Sequence, residues 1–135
     1  MALLKKEDYI FYSGNIFQVE FYFTEKGGIP AKEIFDAAPL FVKVKLAALI
    51  KYIADNGRLF DKTKFRIIDP AEKIYEFKPA NYRFFSFFYK EGKIIITNGY
   101  IKKSQKVSRQ DLKQAISIRK DYLTRNMEER YYEKQ

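Results

Sequence analysis

The sequence predicts an α+β fold in which one twisted antiparallel sheet of about four strands carries two N-terminal helices and a C-terminal helix. Three observations predict it. Residues 17–23 alternate apolar and polar side chains with a period of two, and residues 40–55 repeat apolar side chains at helical spacing. Three strand-like segments then follow one another across residues 73–101, before a last helical pattern. Strands and helices that are segregated along the chain in this way are typical of an α+β domain.

The N-terminal part of the chain predicts one strand and, before it, a segment of ambiguous pattern. The chain has 135 residues, of which 47% are hydrophobic, so we expect a single folded domain over residues 1–135. Residues 1–16 fit either an N-terminal arm or an extra strand. The segment FQVEFYF, residues 17–23, reads as a half-buried strand, which Gly27, Gly28 and Pro30 end.

Two helices are predicted next. Residues 31–38 form one or two turns, with Pro30 suited to a first helical position. In residues 40–55 one apolar stripe runs at helical spacing through Val42, Leu46, Leu49, Ile50 and Ile53. Asn56–Gly57 supplies a left-handed stop, and a polar connector over residues 58–72 follows.

The strands of the C-terminal half are the clearest part of the pattern. The connector contains a short extended piece at residues 65–68, and residues 73–77 alternate. Residues 82–89, YRFFSFFY, are apolar on both faces, as a strand covered on both sides would be. Glu91–Gly92 turns the chain into residues 93–101, which predicts an antiparallel hairpin.

The last helix begins with a capping box. Ser108 stands at the N-cap, with Asp111 three residues further on. The tail over residues 127–135 either extends this helix or frays.

Composition excludes several kinds of chemistry. The chain has neither cysteine nor histidine, which rules out disulfides, thiolate nucleophiles and Cys- or His-based metal sites. Any metal site would be confined to carboxylates. We expect no metal and no cofactor, and acid–base chemistry would use Lys, Glu, Asp or Tyr. No segment reaches the roughly 20 apolar residues of a membrane span, and no signal peptide is evident. The expectation is a cytoplasmic protein without a membrane partner.

Charge is concentrated in the C-terminal part of the chain. Of the net charge of +9, residues 81–135 carry +7, from 13 basic and 6 acidic side chains. Such a distribution attracts nucleic acid through its phosphates, or an acidic protein.

Arg83 is the one charged residue within residues 82–89. Alternation places it on the same face as Phe85, Phe87 and Tyr89. A guanidinium on a sheet face is costly unless it is paired or opens onto a groove. Two interpretations follow: an ion pair with Glu76, or a clamp for phosphate oxygens.

A lysine cluster follows the last strand, at Lys102, Lys103 and Lys106. It is either a solvated loop or part of an anion site. The hairpin should bring Tyr82 and Arg83 close to residues 99–102, and a helix N-terminus adds partial positive charge. Tyr82 and Tyr100 offer rings on which bases could stack.

These residues resemble a known family. The segment YRFFSFFYKEGKIIITNGYIKKSQK, residues 82–106, and the basic helix after it resemble the HigB-like branch of the RelE/ParE toxin superfamily, which includes phage-derived proteins. The preceding EKIYEFKP is similar to another strand of that family, with Lys78 where an arginine is common. The likeness extends over roughly residues 17–125.

The resemblance implies a RelE-like fold and the toxin of a type II toxin–antitoxin system. Such toxins are ribosome-dependent mRNA endoribonucleases, so the implied partners are ribosome, mRNA and a cognate antitoxin, often with a helix-turn-helix. The metal-independent reaction would be attack of a ribose 2′-hydroxyl on the adjacent phosphate. Candidate catalytic residues are Arg83, Lys102, Lys103 and Lys106. Candidate RNA-binding residues are Tyr82, Tyr100, Gln105, Lys78 and Asn98.

Two alternatives remain open. Family members commonly carry histidine where this chain has Asn98, which favours a non-catalytic binder of the same fold, either a gyrase-type inhibitor or an inactive toxin that binds its antitoxin. A generic basic RNA-binding module would also explain the charge.

Overall fold

The computed structural model describes residues 4–59 and 61–132. Within them the strands are β1 (Ile10–Ser13), β2 (Gln18–Phe21), β3 (Phe65–Asp69), β4 (Ile74–Phe77), β5 (Tyr82–Tyr89) and β6 (Lys93–Ile101). The helices are α1 (Lys6–Tyr9), α2 (Pro30–Ala37), α3 (Leu40–Asn56) and α4 (Arg109–Met127). The α+β class is confirmed, as are the long helices and the β5–β6 hairpin.

The sheet differs from the prediction in size and in direction. It has six strands in the order β1-β2-β6-β5-β4-β3, and β2 pairs parallel with β6, whereas the other neighbours are antiparallel. The prediction of about four antiparallel strands was therefore wrong in these details. The N-terminal segment supplies β1, and the short extended piece becomes the edge strand β3. The chain passes through α2, α3 and three further strands between β2 and β6, which is the long connection that a parallel pair requires.

Helices cover both faces of the sheet. Helix α3 buries Val42, Leu46, Ile50 and Ile53 of its predicted stripe against one face, together with Phe84 and Ile94, whereas Leu49 of that stripe is only partly buried. Helix α4 covers the other face, where Ala115, Ile118 and Tyr122 pack with Phe85, Phe87 and Ile95. Because β5 and β6 lie at the centre, both of their faces are buried, which explains their nearly continuous apolar sequence.

The ends of the described chain are packed. The N-terminal segment adds α1 to the predicted helices, in addition to β1. At the other end, α4 stops at Met127, but Tyr131 is 2% exposed and stacks on Phe23 with ring centroids 4.1 Å apart. The part of the tail up to residue 132 thus neither frays nor extends the helix. Residues 133–135 of that expected tail, and residues 1–3, lie outside the described residues.

No helix in the described ranges is both long enough and apolar enough to cross a membrane.

Candidate nucleic-acid interface

A β-bulge in β6 decides which side chains of the hairpin share a face. Between the pairs Phe84–Gly99 and Ser86–Ile96, strand β5 has one residue and β6 has two, Thr97 and Asn98. The extra residue reverses the alternation beyond it. Tyr100 consequently lies on the α4 face of the sheet, although strict alternation from Ile95 would place it on the α3 face.

Strand pairing brings basic side chains together on this α4 face, beyond the start of α4. Arg83 pairs directly with Tyr100, so the two side chains share a face. The β4–β5 register ends at Phe77–Phe84, and Lys78 and Arg83 are the next residues on the two segments. We call Arg66, Lys78, Arg83 and Lys102 the cationic cluster, because the positive charges of Arg66, Arg83 and Lys102 all act on the amine of Lys78.

The structure excludes one of the two interpretations of Arg83, the ion pair with Glu76. Glu76 forms its ion pair with Arg66 on β3, at 3.5 Å, and among the described residues Arg83 has no acidic partner. Instead, Nη1 of Arg83 donates to the carbonyl oxygens of Ala80 and Tyr82, at 2.8 and 2.7 Å. Its Nε is buried without a hydrogen-bond partner. The guanidinium is therefore held by backbone, and its positive charge is not neutralised by a carboxylate.

Lys78 has a perturbed pKa. Burial lowers the pKa of its amine, and the positive charges of Arg66 and Arg83 lower it further. Lys102 acts in the same direction, whereas Glu76 opposes the shift. A lysine whose pKa is lowered by desolvation and by neighbouring cations is a suitable proton-transfer group.

The basic side chains of the loop after β6 lie in two different places. Lys102 is half-buried and belongs to the cationic cluster, and its backbone N–H donates to Asn81 O at 2.7 Å, which closes the open end of the hairpin. Lys103 and Lys106 are exposed and line a shallow pocket of about 340 Å³ with Tyr100, Ser108 and Asp111. Gln105 is exposed but does not line that pocket.

The two tyrosines proposed for stacking behave differently. Tyr100 lies between the cationic cluster and the pocket, half-buried, and its hydroxyl accepts a hydrogen bond from the Ser108 N–H at 3.3 Å. Tyr82 is 8% exposed and packs beside Phe84 in the α3-side core. Its expected stacking role is therefore corrected: neighbours along a strand point to opposite faces, so Arg83 and Tyr82 cannot serve one surface.

Asn98 is also unsuited to binding RNA. It is 2% exposed, and its Nδ2 donates to Asp111 O at 3.0 Å and to Gln114 Oε1 at 3.4 Å. Its Oδ1 accepts from the Thr97 hydroxyl at 2.6 Å. This side chain joins the bulge to the first turns of α4, and so it positions the helix rather than facing a ligand.

The N-terminus of α4 is partly satisfied by its own residues. Ser108 is the N-cap, and its Oγ accepts from Asp111 N at 3.2 Å, as the capping box predicted. The Asp111 carboxylate accepts from the Ser108 hydroxyl at 2.5 Å and adds negative charge to the pocket. The helix start consequently carries less positive potential than the sequence suggested.

Arg66 was missed by the sequence reasoning, although it lies in the extended piece that became β3. Its signal was alternation: Phe65 and Ile67 leave Arg66 on the opposite face, where the pairing with Glu76 places it.

Within residues 4–59 and 61–132 no group of three or more acidic side chains could hold a metal ion.

The fold and these side chains together define a small basic α+β protein with clustered cations at one end of its sheet. Residues 33–120, more than half of the chain, match the family model described as Phage derived protein Gp49-like (DUF891). The chain belongs to this family, which is a RelE/HigB-type toxin-like family. No curated protein matches the chain.

Proposed function

We propose that this protein is the toxin of a type II toxin–antitoxin system, of the HigB-like branch, and that it cuts mRNA on the ribosome. The family supports a toxin, and the cationic cluster supports a phosphodiester substrate. The observation that carries the proposal is Arg83: it is fixed by two backbone carbonyls, lacks an acidic partner among the described residues, and lies beside a lysine of lowered pKa.

The chemistry fits a chain without histidine. The ribose 2′-hydroxyl loses its proton and attacks the adjacent phosphorus, and the bond to the 5′-oxygen breaks as that oxygen gains a proton. The products are a 2′,3′-cyclic phosphate and a 5′-hydroxyl. This reaction needs in-line positioning and cations where charge develops.

Roles follow from the positions of the side chains. Arg83 stabilises the negative charge on the phosphate, and Lys103 contributes positive charge from the neighbouring pocket. Lys78, in its neutral form, is better suited than Lys106 to accept the proton, since it lies next to Arg83 and its pKa is lowered. Lys102 donates to the leaving oxygen, and Tyr100 offers a ring to a base.

Alanine substitutions test this proposal. Arg83→Ala should abolish growth arrest on induction and reduce cleavage of ribosome-bound message by about 100-fold or more, the usual effect of losing one transition-state donor. Lys78→Ala, Lys102→Ala and Lys103→Ala should each reduce cleavage too. Lys120→Ala, which removes an exposed lysine of α4, is the charge-matched control and should retain activity. Undiminished cleavage by all four site variants would refute the assignment.

A second candidate function is a non-catalytic binder of the same fold. It is favoured by the observation that Asn98, where family members commonly carry histidine, is buried and fully bonded to α4 and the bulge. Purified protein added to translating ribosomes separates the two candidates. Only the endoribonuclease leaves fragments with cyclic phosphate ends, whereas a binder leaves the message intact.

A further inference from the structure

A buried carboxylate that accepts no hydrogen bond lies beside the cationic cluster. Glu76 is fully buried, and neither of its carboxyl oxygens has a hydrogen-bond partner. Its nearest opposite charge is Arg66, with Nε 3.5 Å from Oε1. A buried carboxylate without hydrogen bonds is costly, so the attraction to Arg66 is the interaction that stabilises it at this position.

The ion pair of Arg66 and Glu76 lies on the α4 face of the sheet, at its boundary with solvent. Arg66 and Glu76 are direct partners across β3 and β4, and Glu76 is in turn opposite Phe85, so all three lie on the α4 face. Nε of Arg66 is buried, while 37% of the side chain is exposed. The guanidinium thus lies at the boundary between the sheet and solvent, with its Nε edge towards Glu76.

Comparison with another ion pair of the chain argues against a merely structural role. Nη1 of Arg125 lies 2.9 Å from Oδ2 of Asp121 and also donates to Phe23 O. The Tyr22 hydroxyl donates to the Asp121 carboxylate as well. That arginine is 2% exposed and is fixed by hydrogen bonds. Arg66 makes no such hydrogen bond within the described residues, so its planar donors remain available to a ligand.

We infer that Arg66 is a second phosphate-binding guanidinium of the site and that Glu76 is the positioning residue that holds it there. The inference rests on the proposed function and deepens it. Strand β3 lies two strands, about 10 Å, from β5. Arg66 and Arg83 therefore address different phosphates of one single-stranded RNA, and the ligand is a chain with at least two phosphates rather than a mononucleotide.

Binding to an uncleavable RNA tests this inference apart from catalysis. The probe is a fluorescently labelled ten-nucleotide RNA with 2′-O-methyl riboses, whose affinity is measured by anisotropy over a series of salt concentrations. Each phosphate contact contributes about 0.7 to the slope of log affinity against log salt for single strands. Arg66→Ala should lower the slope by about that amount and weaken binding about tenfold at low salt. Arg66→Lys should recover much of the slope.

The positioning role of Glu76 is tested by comparing Glu76→Gln in the presence and absence of Arg66. Glu76→Gln, which keeps the shape and removes the charge, should weaken RNA binding in the wild-type background and have no further effect in the Arg66→Ala background. The matched control is Arg130→Ala. Arg130 is exposed and ion-paired with Glu25 at 3.0 Å, but it lies near the opposite edge of the sheet, beyond β2, and its loss should leave the slope unchanged.

Three outcomes overturn the inference. An Arg66→Ala slope equal to that of the wild type removes Arg66 from the site, and this variant alters a part-exposed side chain, so it remains informative if Glu76→Gln does not fold. Equal losses from Glu76→Gln with and without Arg66 show that Glu76 does not act through Arg66. If the wild type itself does not bind the RNA, Arg66 contacts no phosphate of a free strand and the inference falls, whereas the cleavage assay on ribosome-bound message still decides the proposed function.

Discussion

At the scale of single residues, the environment of a side chain decides its chemistry more than its type does. Lys102, Lys103 and Lys106 were candidate catalytic residues in the sequence, and Lys78 was a candidate RNA-binding residue. In the structure, burial and two guanidinium groups lower the pKa of the Lys78 amine, which makes Lys78 a candidate for proton transfer. Tyr82 and Tyr100 were equally plausible platforms for a base, and only Tyr100 lies beside the cationic cluster.

The lowered pKa of Lys78 predicts a pH-dependent effect on stability. Because its pKa in the folded state lies below the ordinary 10.5, the charged amine destabilises the fold at neutral pH. That penalty is relieved as pH rises from the lowered pKa towards 10.5. Lys78→Met should therefore be more stable than the wild type at pH 7, by an amount that shrinks as the pH rises from the lowered pKa towards 10.5.

Urea unfolding at a series of pH values measures this difference, since the titration of other groups cancels between the two proteins. Lys45→Met, an exposed lysine of α3, is the control and should stay within about 0.5 kcal/mol of the wild type at pH 7. A Lys78→Met variant that is less stable at pH 7 would contradict the assigned environment.

At the scale of elements, hydrogen bonds at the start of α4 connect the sheet with the pocket. The N-cap Ser108, the bulge residue Asn98 and the ring of Tyr100 are linked by hydrogen bonds to the first turns of the helix or to its cap. The capping box was readable from local sequence, whereas the bulge that brings Asn98 under the helix was not.

Removing the N-cap side chain of α4 should destabilise the protein. Ser108→Ala should reduce the free energy of unfolding by about 1 kcal/mol, because the Asp111 N–H loses its acceptor. Ser117→Ala is the matched control: this serine is exposed within α4, where alanine is the better helix former, so the change should be neutral or slightly stabilising. Chemical denaturation compares them, and equal effects of the two substitutions would show that the cap contributes nothing.

At the scale of the whole molecule, the C-terminal segment completes the core on the α4 face. Tyr131 stacks on Phe23 and contacts the ring of Tyr122 at 4.5 Å between centroids, and its hydroxyl accepts from Phe23 N at 2.9 Å. The segment around Tyr131 therefore packs beside Phe23, which follows β2 and lies more than a hundred residues earlier in the sequence.

Loss of this ring should destabilise the whole domain. Tyr131→Ala should cost about 3–5 kcal/mol, as expected for truncating a buried aromatic side chain. Tyr52→Ala removes a tyrosine that is 54% exposed on α3 and should change stability by less than about 0.5 kcal/mol. Thermal unfolding of both variants is the measurement, and a small effect of Tyr131→Ala would mean that the tail is dispensable.

Local pattern determined the elements of this protein. Alternation and helical spacing sufficed for α3, α4 and the β5–β6 hairpin, and the hairpin was enough to place Arg83 beside Tyr100. These features depend on residues close in sequence, where period, caps and turns act directly. Even the missed Arg66 carried an alternating pattern.

Only the tertiary structure decided the remainder. The parallel pairing of β2 with β6, the partner of Glu76 and the burial of Asn98 and Tyr131 depend on contacts between segments far apart in the chain. A single extra residue at Thr97–Asn98 reverses the faces beyond it, and no local period encodes that reversal. The basic residues were evident in the sequence, but which of them meet is set by strand register, because register alone fixes which side chains share a face.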